Sequence, residues 1–206
     1  DLAPMSPISR YAALAAREAL DGAGVPLRPR ALEPIGLALG THAGPSEAAL
    51  MRRVWTTPNR VADVNAFAEV VPNSVNGQVS IALYLKGHNT HVGPGQHAGA
   101  AALIAAARAV RDGHASAILA GAADQVSETL LQAYDAAGWL VPDAERMPAE
   151  PHPEARHLGE GAAMLLVEDL DAAQQAFEAA GVRLTHPVYE QPWAQRALRV
   201  YDPDGH

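Results

Sequence analysis

The sequence predicts an α/β fold: a mixed, mostly parallel sheet with helices on both faces. Three observations carry the prediction. Short apolar runs bounded by Gly and Pro alternate with longer helical patterns, the order that produces parallel strands joined by crossover helices. The runs are apolar throughout, as strands covered on both faces are. Apolar residues make up 49% of the chain, much of it alanine, while aromatics are only 5%, which suits helices packed closely on a sheet. The 206 residues allow one substantial domain and a small appendage.

The elements follow in order. Ser6-Pro7 precedes apolar residues at Ile8, Tyr11, Ala12, Leu14, Ala15 and Ala19, a capped amphipathic helix that Gly22 and Gly24 stop. Residues 34–40 form an apolar run between Pro and Gly, a buried strand. Glu47 to Trp55 reads as a short helix and 56–73 as irregular. Asn76 to Leu85 is a helix with Val79, Ala82 and Leu83 on one face. Asn89 to Gly93 is a strand running into Pro94-Gly95, and Gln96 to Val110 is a helix apolar on most faces, hence buried. Gly113 ends it, and Ala115 to Ala120 is a strand. Ser127 to Ala137 is a helix, 141–158 a Pro-rich flap, Ala162 to Val167 a strand, Asp171 to Ala180 a helix, and Val182 to Val188 a last strand. The expected division is a domain over 1–189 and a polar tail over 190–206, loose at its end.

Composition excludes several function classes. A net charge of −8 without a basic stripe argues against a nucleic-acid partner. The absence of cysteine removes disulfides, thiolate metal sites and thiol nucleophiles from this chain, and fits a reducing cytoplasm. No apolar run approaches a membrane span and no signal peptide is visible. The nine histidines are scattered. His152 and His157 with Glu150 and Glu154 cluster in a Pro-rich loop without the i, i+4 spacing of a zinc helix. No metal and no cofactor are expected. Gly93-Pro94-Gly95 lacks the Lys and Ser/Thr of a phosphate loop and the third glycine of a dinucleotide motif. His97 is turned about 100° from Gln96 if both are helical. Asp124 and Glu128 read as helix-start residues rather than catalysts.

Several segments, in order and with close spacing, resemble the N-terminal half of β-ketoacyl synthases. They are Arg10 to Val25 with its Ala-Gly turn, Ile35-Gly36-Leu37-Ala38-Leu39-Gly40-Thr41, Pro72-Asn73-Ser74-Val75-Asn76-Gly77, Leu85-Lys86-Gly87, Gly113 through Asp124, and Gly159-Glu160-Gly161-Ala162 leading to Glu168. The resemblance covers roughly residues 8 to 189 and implies one half of a thiolase-like αβαβα sandwich. In that family a cysteine nucleophile sits between a strand and a long buried helix. The helix N-terminus lowers a thiol pKa and can hold an acyl oxyanion. Here the matching residue is Gln96, and an amide forms no stable nucleophile near neutral pH. No catalytic residue is therefore assigned, and the chain is not expected to condense acyl groups by itself.

A glutamine at this place is similar to two variants of the family: the chain-length factor of type II polyketide synthases, and the loading ketosynthase that decarboxylates malonyl-carrier. Gly95-Gln96-His97-Ala98-Gly99 is nearer to the first. The resemblance then implies a non-catalytic subunit paired with an active ketosynthase, with an acyl carrier protein as a further partner, in polyketide, aryl-polyene-like or fatty acid biosynthesis. It implies that Thr90, His91, Val92, Gly93, Pro94 and Gly95 form the dimer interface. It also places Asn73 and Val75 near the neighbour's acyl tunnel, with Phe67, Val75 and Leu131 as bulky candidates for its wall. The other readings are a decarboxylase using Gln96, and a scaffold that meets an acidic carrier through Arg52, Arg53 and Arg60. The family's second half carries a His-Gly-Thr-Gly-Thr motif; these residues contain none, so the chain reads either as a shortened ketosynthase-like protein or as part of a longer one.

Overall fold

The computed structural model describes residues 5–44, 71–93, 95–140, 158–179, 181, 184–190 and 196–200. The helix expected at Glu47 to Trp55, the Pro-rich flap, Phe67, Pro94, the Arg52, Arg53 and Arg60 group and the His152/His157 cluster lie outside them.

Helix α1 (Pro7–Gly22) begins where expected, with Pro7 at its first position. Ser6 makes no side-chain cap; its hydroxyl bonds that of Ser9 at 2.9 Å. The helix closes with Gly24 at φ +69, which glycine adopts without the Cβ clash of other residues. A single turn, α2 (Pro29–Leu32), leads into β1 (Gly36–Gly40). After α3 (Ser74–Leu83) come β2 (Asn89–Val92), α4 (Ala98–Arg111), β3 (Ala117–Asp124), α5 (Glu128–Ala136), β4 (Gly161–Glu168) and α6 (Leu170–Ala179). The main sheet runs in the order β2-β1-β3-β4. β1 pairs parallel with both β2 and β3, and β4 pairs antiparallel with β3 along its whole length, from Ala117↔Glu168 to Asp124↔Gly161. The sheet is thus mixed and mostly parallel, with helices on both faces.

Strand period divides the core in two. Leu37 and Leu39 of β1 and Leu119 and Ala123 of β3 face α1 and α3, where they meet Ile8, Ala12, Ala16, Leu20, Val75 and Val79. Ala38, Ile118 and Ala120 face the other way, onto Ala102, Ala106 and Ala109 of α4. That second face is almost all alanine, so α4 lies close to the sheet. A Cβ at Gly40 would overlap the Ala98 carbonyl, and one at Gly121 the Ala163 carbonyl.

The C-terminal region differs from expectation. The last strand of the sequence reading, here β5 (Leu184–Glu190), is not in the main sheet. It pairs antiparallel with β6 (Arg196–Val200), from Leu184↔Val200 to Glu190↔Arg196. The residues read as a polar tail therefore contain a strand. Its Arg-Ala-Leu-Arg-Val run is too short and too charged to stand out without its partner.

Candidate functional site

The ends of the three parallel strands meet at one edge of the sheet. β1 runs out into Thr41, 1% exposed, whose N–H donates to the Val92 carbonyl at 3.1 Å. His42 follows, and its carbonyl accepts from the Gly95 N–H at 3.2 Å. This fastens the loop after β1 to the turn after β2. At the end of β3, Asp124 accepts from the backbone N–H of His42 at 2.7 Å and of Ala43 at 3.4 Å. Asp124 thus ties down the neighbouring strand's exit instead of starting a helix, a correction that the linear sequence concealed. Glu128 does sit in the first turn of α5, where Gln132 donates to it at 3.1 Å. The His42 ring shares a 3.0 Å hydrogen bond with the Tyr134 hydroxyl, and Tyr134 meets Trp139 edge to face at 5.5 Å.

Gln96 stands in the turn that this frame holds. Gly95 is at φ +152, a conformation that side chains rarely adopt. A Cβ on Gly93 would come within 3.1 Å of the Thr41 carbonyl. Both glycines let the chain turn tightly from β2 into α4. Gln96 and His97 are exposed, and α4 starts at Ala98, two residues later than the sequence suggested. His97 is the N-cap residue without a side-chain cap. The amide of Gln96 thus lies one residue before the cap, in the favourable potential of a 14-residue helix, and makes no hydrogen bond among the described residues. A thiol there would be activated; an amide is not.

β2, at the outer edge of the sheet, is anchored by a polar network that sequence reasoning missed. Asn76 on α3 is 2% exposed. Its amide nitrogen donates to Asn89 Oδ1 at 3.0 Å and to the Thr90 carbonyl at 2.9 Å. These acceptors fix the orientation of the amide, so Asn76 Oδ1 faces His91 Nδ1 at 3.2 Å and the imidazole carries its proton there. Asn89 donates onward to Ser80 at 2.8 Å, and Thr90 Oγ1 shares a 2.8 Å bond with His88. Burial holds the His91 pKa below the usual imidazole value. The one sequence hint was the Asn76/Ser80 spacing of a single helical turn.

The predicted site residues do not converge. Thr90, His91 and Val92 share the edge strand, with Gly93 and Gly95 in the turn after it. Val75 is fully buried in this chain's own core beneath α1, which gives it a packing role here. Asn73 is exposed as the N-cap residue of α3, and Leu131 is 41% exposed on α5. Among the described residues no group of three or more His, Cys, Asp or Glu could hold a metal ion, and no helix is long and apolar enough to cross a membrane.

Fold and site together define the thiolase-like class, with a ketosynthase-type turn between an edge strand and a helix that, unlike the sequence expectation, buries only the Ala98, Ala102, Ala106 and Ala109 face on the sheet and leaves Ile104 exposed. The Beta-ketoacyl synthase, N-terminal domain, description matches residues 1–173, and the chain belongs to that family. It is 29% identical over 189 residues to the actinorhodin polyketide beta-ketoacyl synthase 1 of Streptomyces coelicolor, covering 84% of this chain and 40% of that protein. It is 28% identical over 178 residues to 3-oxoacyl-(acyl-carrier-protein) synthase 2 of Staphylococcus aureus, covering 82% and 44%. Among solved structures, a beta-ketoacyl synthase from Burkholderia phymatum superimposes with a TM-score of 0.72 at 23% identity, over 87% of this chain and 45% of that one. The ishigamide ketosynthase/chain length factor gives 0.63 at 26%, over 82% and 45%. The chain spans less than half the length of the curated relatives it matches.

Proposed function

We propose that this chain is a non-condensing, chain-length-factor-like subunit. It pairs with an active β-ketoacyl synthase through β2 and the turn after it, and closes the far end of that partner's acyl tunnel. The observation that carries the reading is Gln96, which takes the place of the nucleophile before α4 in a chain without cysteine. Condensation starts by loading an acyl group on a thiolate, and this turn offers none. The exposed edge of β2 favours a partner: an unpaired strand edge is a liability unless something covers it. Similarity to the ishigamide ketosynthase/chain length factor supports the same class.

In this role the subunit acts by shape. Each methylene added to a growing acyl chain gains about 0.8 kcal/mol only while dry apolar space remains, so a wall at the tunnel end sets product length. The acyl carrier protein delivers substrate to the active partner, in type II polyketide, aryl-polyene-like or fatty acid biosynthesis in the cytoplasm. The test is co-expression with the ketosynthase encoded beside it, followed by native mass spectrometry. A one-to-one complex is expected. A monomer or homodimer that ignores the ketosynthase refutes the reading.

The exposure of Gln96 beside a helix N-terminus favours one second reading, in which its amide steadies the enolate left when malonyl-carrier loses carbon dioxide. Incubation with malonyl-carrier protein, with and without the partner, tests it. Acetyl-carrier that disappears in Gln96→Ala supports it, and no acetyl-carrier in either sample removes it.

A further inference from the structure

We propose that an open groove at the opposite edge of the sheet is a docking site for an acidic, amphipathic helical segment of a partner protein. The groove, of about 380 Å³, is lined by Arg17 of α1, by Leu27, Pro29 and Leu32 ahead of β1, and by Leu83 and Tyr84 at the end of α3. Leu32 is 5% exposed and forms the floor; Leu27 and Tyr84 are 41% and 49% exposed on the rims. Leu14 lies one turn back from Arg17 and Ile81 one turn back from Tyr84, both exposed, so the apolar surface continues along both helices. Among the described residues the walls are helices and a turn, with no open strand edge. That removes strand addition and leaves a helix laid in the groove.

Charge selects the occupant. The chain carries a net charge of −8, yet Arg17 lines this groove and Arg28 and Arg30 flank its Pro29 in the chain, all three exposed and without an ion pair among the described residues. Lys86, paired with Glu33 at 2.6 Å, is 4.7 Å from the centre of the Tyr84 ring. Of the nearby acids, Glu33 is engaged by Lys86, Glu18 follows Arg17 directly, and Asp21 lies one turn beyond Arg17. Cations around an apolar floor complement an acidic partner with apolar anchors. Tyr84 adds an independent observation. It holds φ +61, among the described residues the one non-glycine in the left-handed region. Glycine would close α3 there without strain. The strained tyrosine places a ring on the groove wall, and such strain gathers where a side chain is needed for binding.

The groove lies at the starts of β1 and β2, while Gln96 lies at their ends, roughly 16 Å away along β1. An occupant here does not deliver an acyl group to the Gln96 turn. The inference therefore stands apart from the role proposed above.

The probe is a fluorescein-labelled synthetic helix of about 16 residues, with leucines at i, i+3, i+4 and i+7 and glutamates elsewhere. A second peptide carries lysine for glutamate. Fluorescence anisotropy on the full chain is expected to show saturable binding of the Glu peptide, about tenfold tighter than the Lys peptide and weakened near 0.5 M salt. Arg17→Glu with Arg30→Glu should weaken it about tenfold. Tyr84→Gly relieves the backbone, so it should keep or raise Tm while losing binding, which separates recognition from folding. The proposal is overturned by no binding of the Glu peptide, equal binding of both peptides, or binding that the substitutions leave unchanged. Self-association in sedimentation that the same substitutions abolish would assign the groove to a second copy and overturn it equally.

Discussion

Gly40→Ala tests how closely α4 is seated on β1. The added Cβ would overlap the Ala98 carbonyl and stand 2.8 Å from the Gly99 nitrogen. Ordinary contact needs about 3.5 Å, so the first turn of α4 must retreat by roughly 0.7 Å or more. The obstacle is backbone, and no rotamer change relieves it. Overpacking of this kind costs about 1–3 kcal/mol; against backbone the upper half of that range applies. In a chain of this size each kcal/mol lowers Tm by about 2–4 °C, so thermal unfolding followed by circular dichroism should show a fall of roughly 4–12 °C. Gly77→Ala is the control. Gly77 lies within α3, and a Cβ there meets nothing within 4 Å. Replacing a helical glycine at such a position stabilises by about 0.5–1 kcal/mol, so Tm should rise. If Gly40→Ala unfolds within about a degree of the parent chain, the close seating of α4, and the placement of Gln96 that depends on it, is refuted.

Asn76→Ala removes both amide donors to β2 and leaves the half-buried His91 ring N–H without its acceptor. A loss of about 2–3 kcal/mol is expected in urea unfolding; a loss below about 0.5 kcal/mol would show that the network does not anchor the strand. Burial lowers the His91 pKa in the folded chain. Between that value and the ordinary 6.5 the unfolded chain therefore binds the extra proton. His91 then contributes stability that is complete above pH ~6.5 and falls as the pH drops toward the folded pKa. His91→Gln should flatten the Tm-against-pH curve in that window, and an unchanged slope contradicts the assignment. Glu160 accepts from the Tyr11 hydroxyl at 3.0 Å and from the Val126 N–H at 3.1 Å, and this bond, with the carboxylate's charge, raises the Tyr11 pKa. Glu160→Gln should bring one tyrosine to lower pH in an ultraviolet difference titration; superimposable titrations would break the link.

Much of the architecture was readable because it is local. Helix starts at Pro7 and Glu128, the Gly24 and Gly113 stops, and apolar β1 and β3 follow from nearest-neighbour chemistry. The strand and helix on either side of Gln96 were legible from their apolar runs, but the structure leaves Gln96 in the turn, with α4 starting two residues later. What stayed hidden depends on residues distant in sequence. Nothing around Gly161–Glu168 announces that β4 runs antiparallel, since its apolar run would suit either direction. Asp124 gave no sign that it would bind the backbone of His42, 82 residues away. Asn76 read only as the start of a helix because its partners, Asn89 to His91, come into reach only when α3 folds over β2. The Arg17, Arg28 and Arg30 group escaped notice because α1 and the α2 turn bring it together, whereas Arg52 and Arg53 are adjacent in the chain.

The exposure of Gln96 bears on how such a chain can arise. An exposed side chain such as this can be exchanged at almost no cost in folding free energy, because surface replacements usually shift stability by no more than about 0.5 kcal/mol. The rigid parts of the turn are its glycines and the alanine seam beneath α4, and none of them depends on what projects at position 96. The scaffold thus behaves as a socket whose fitting is interchangeable. A change of the residue at position 96 therefore leaves the rest of the molecule's surface as it was and requires no redesign of the fold.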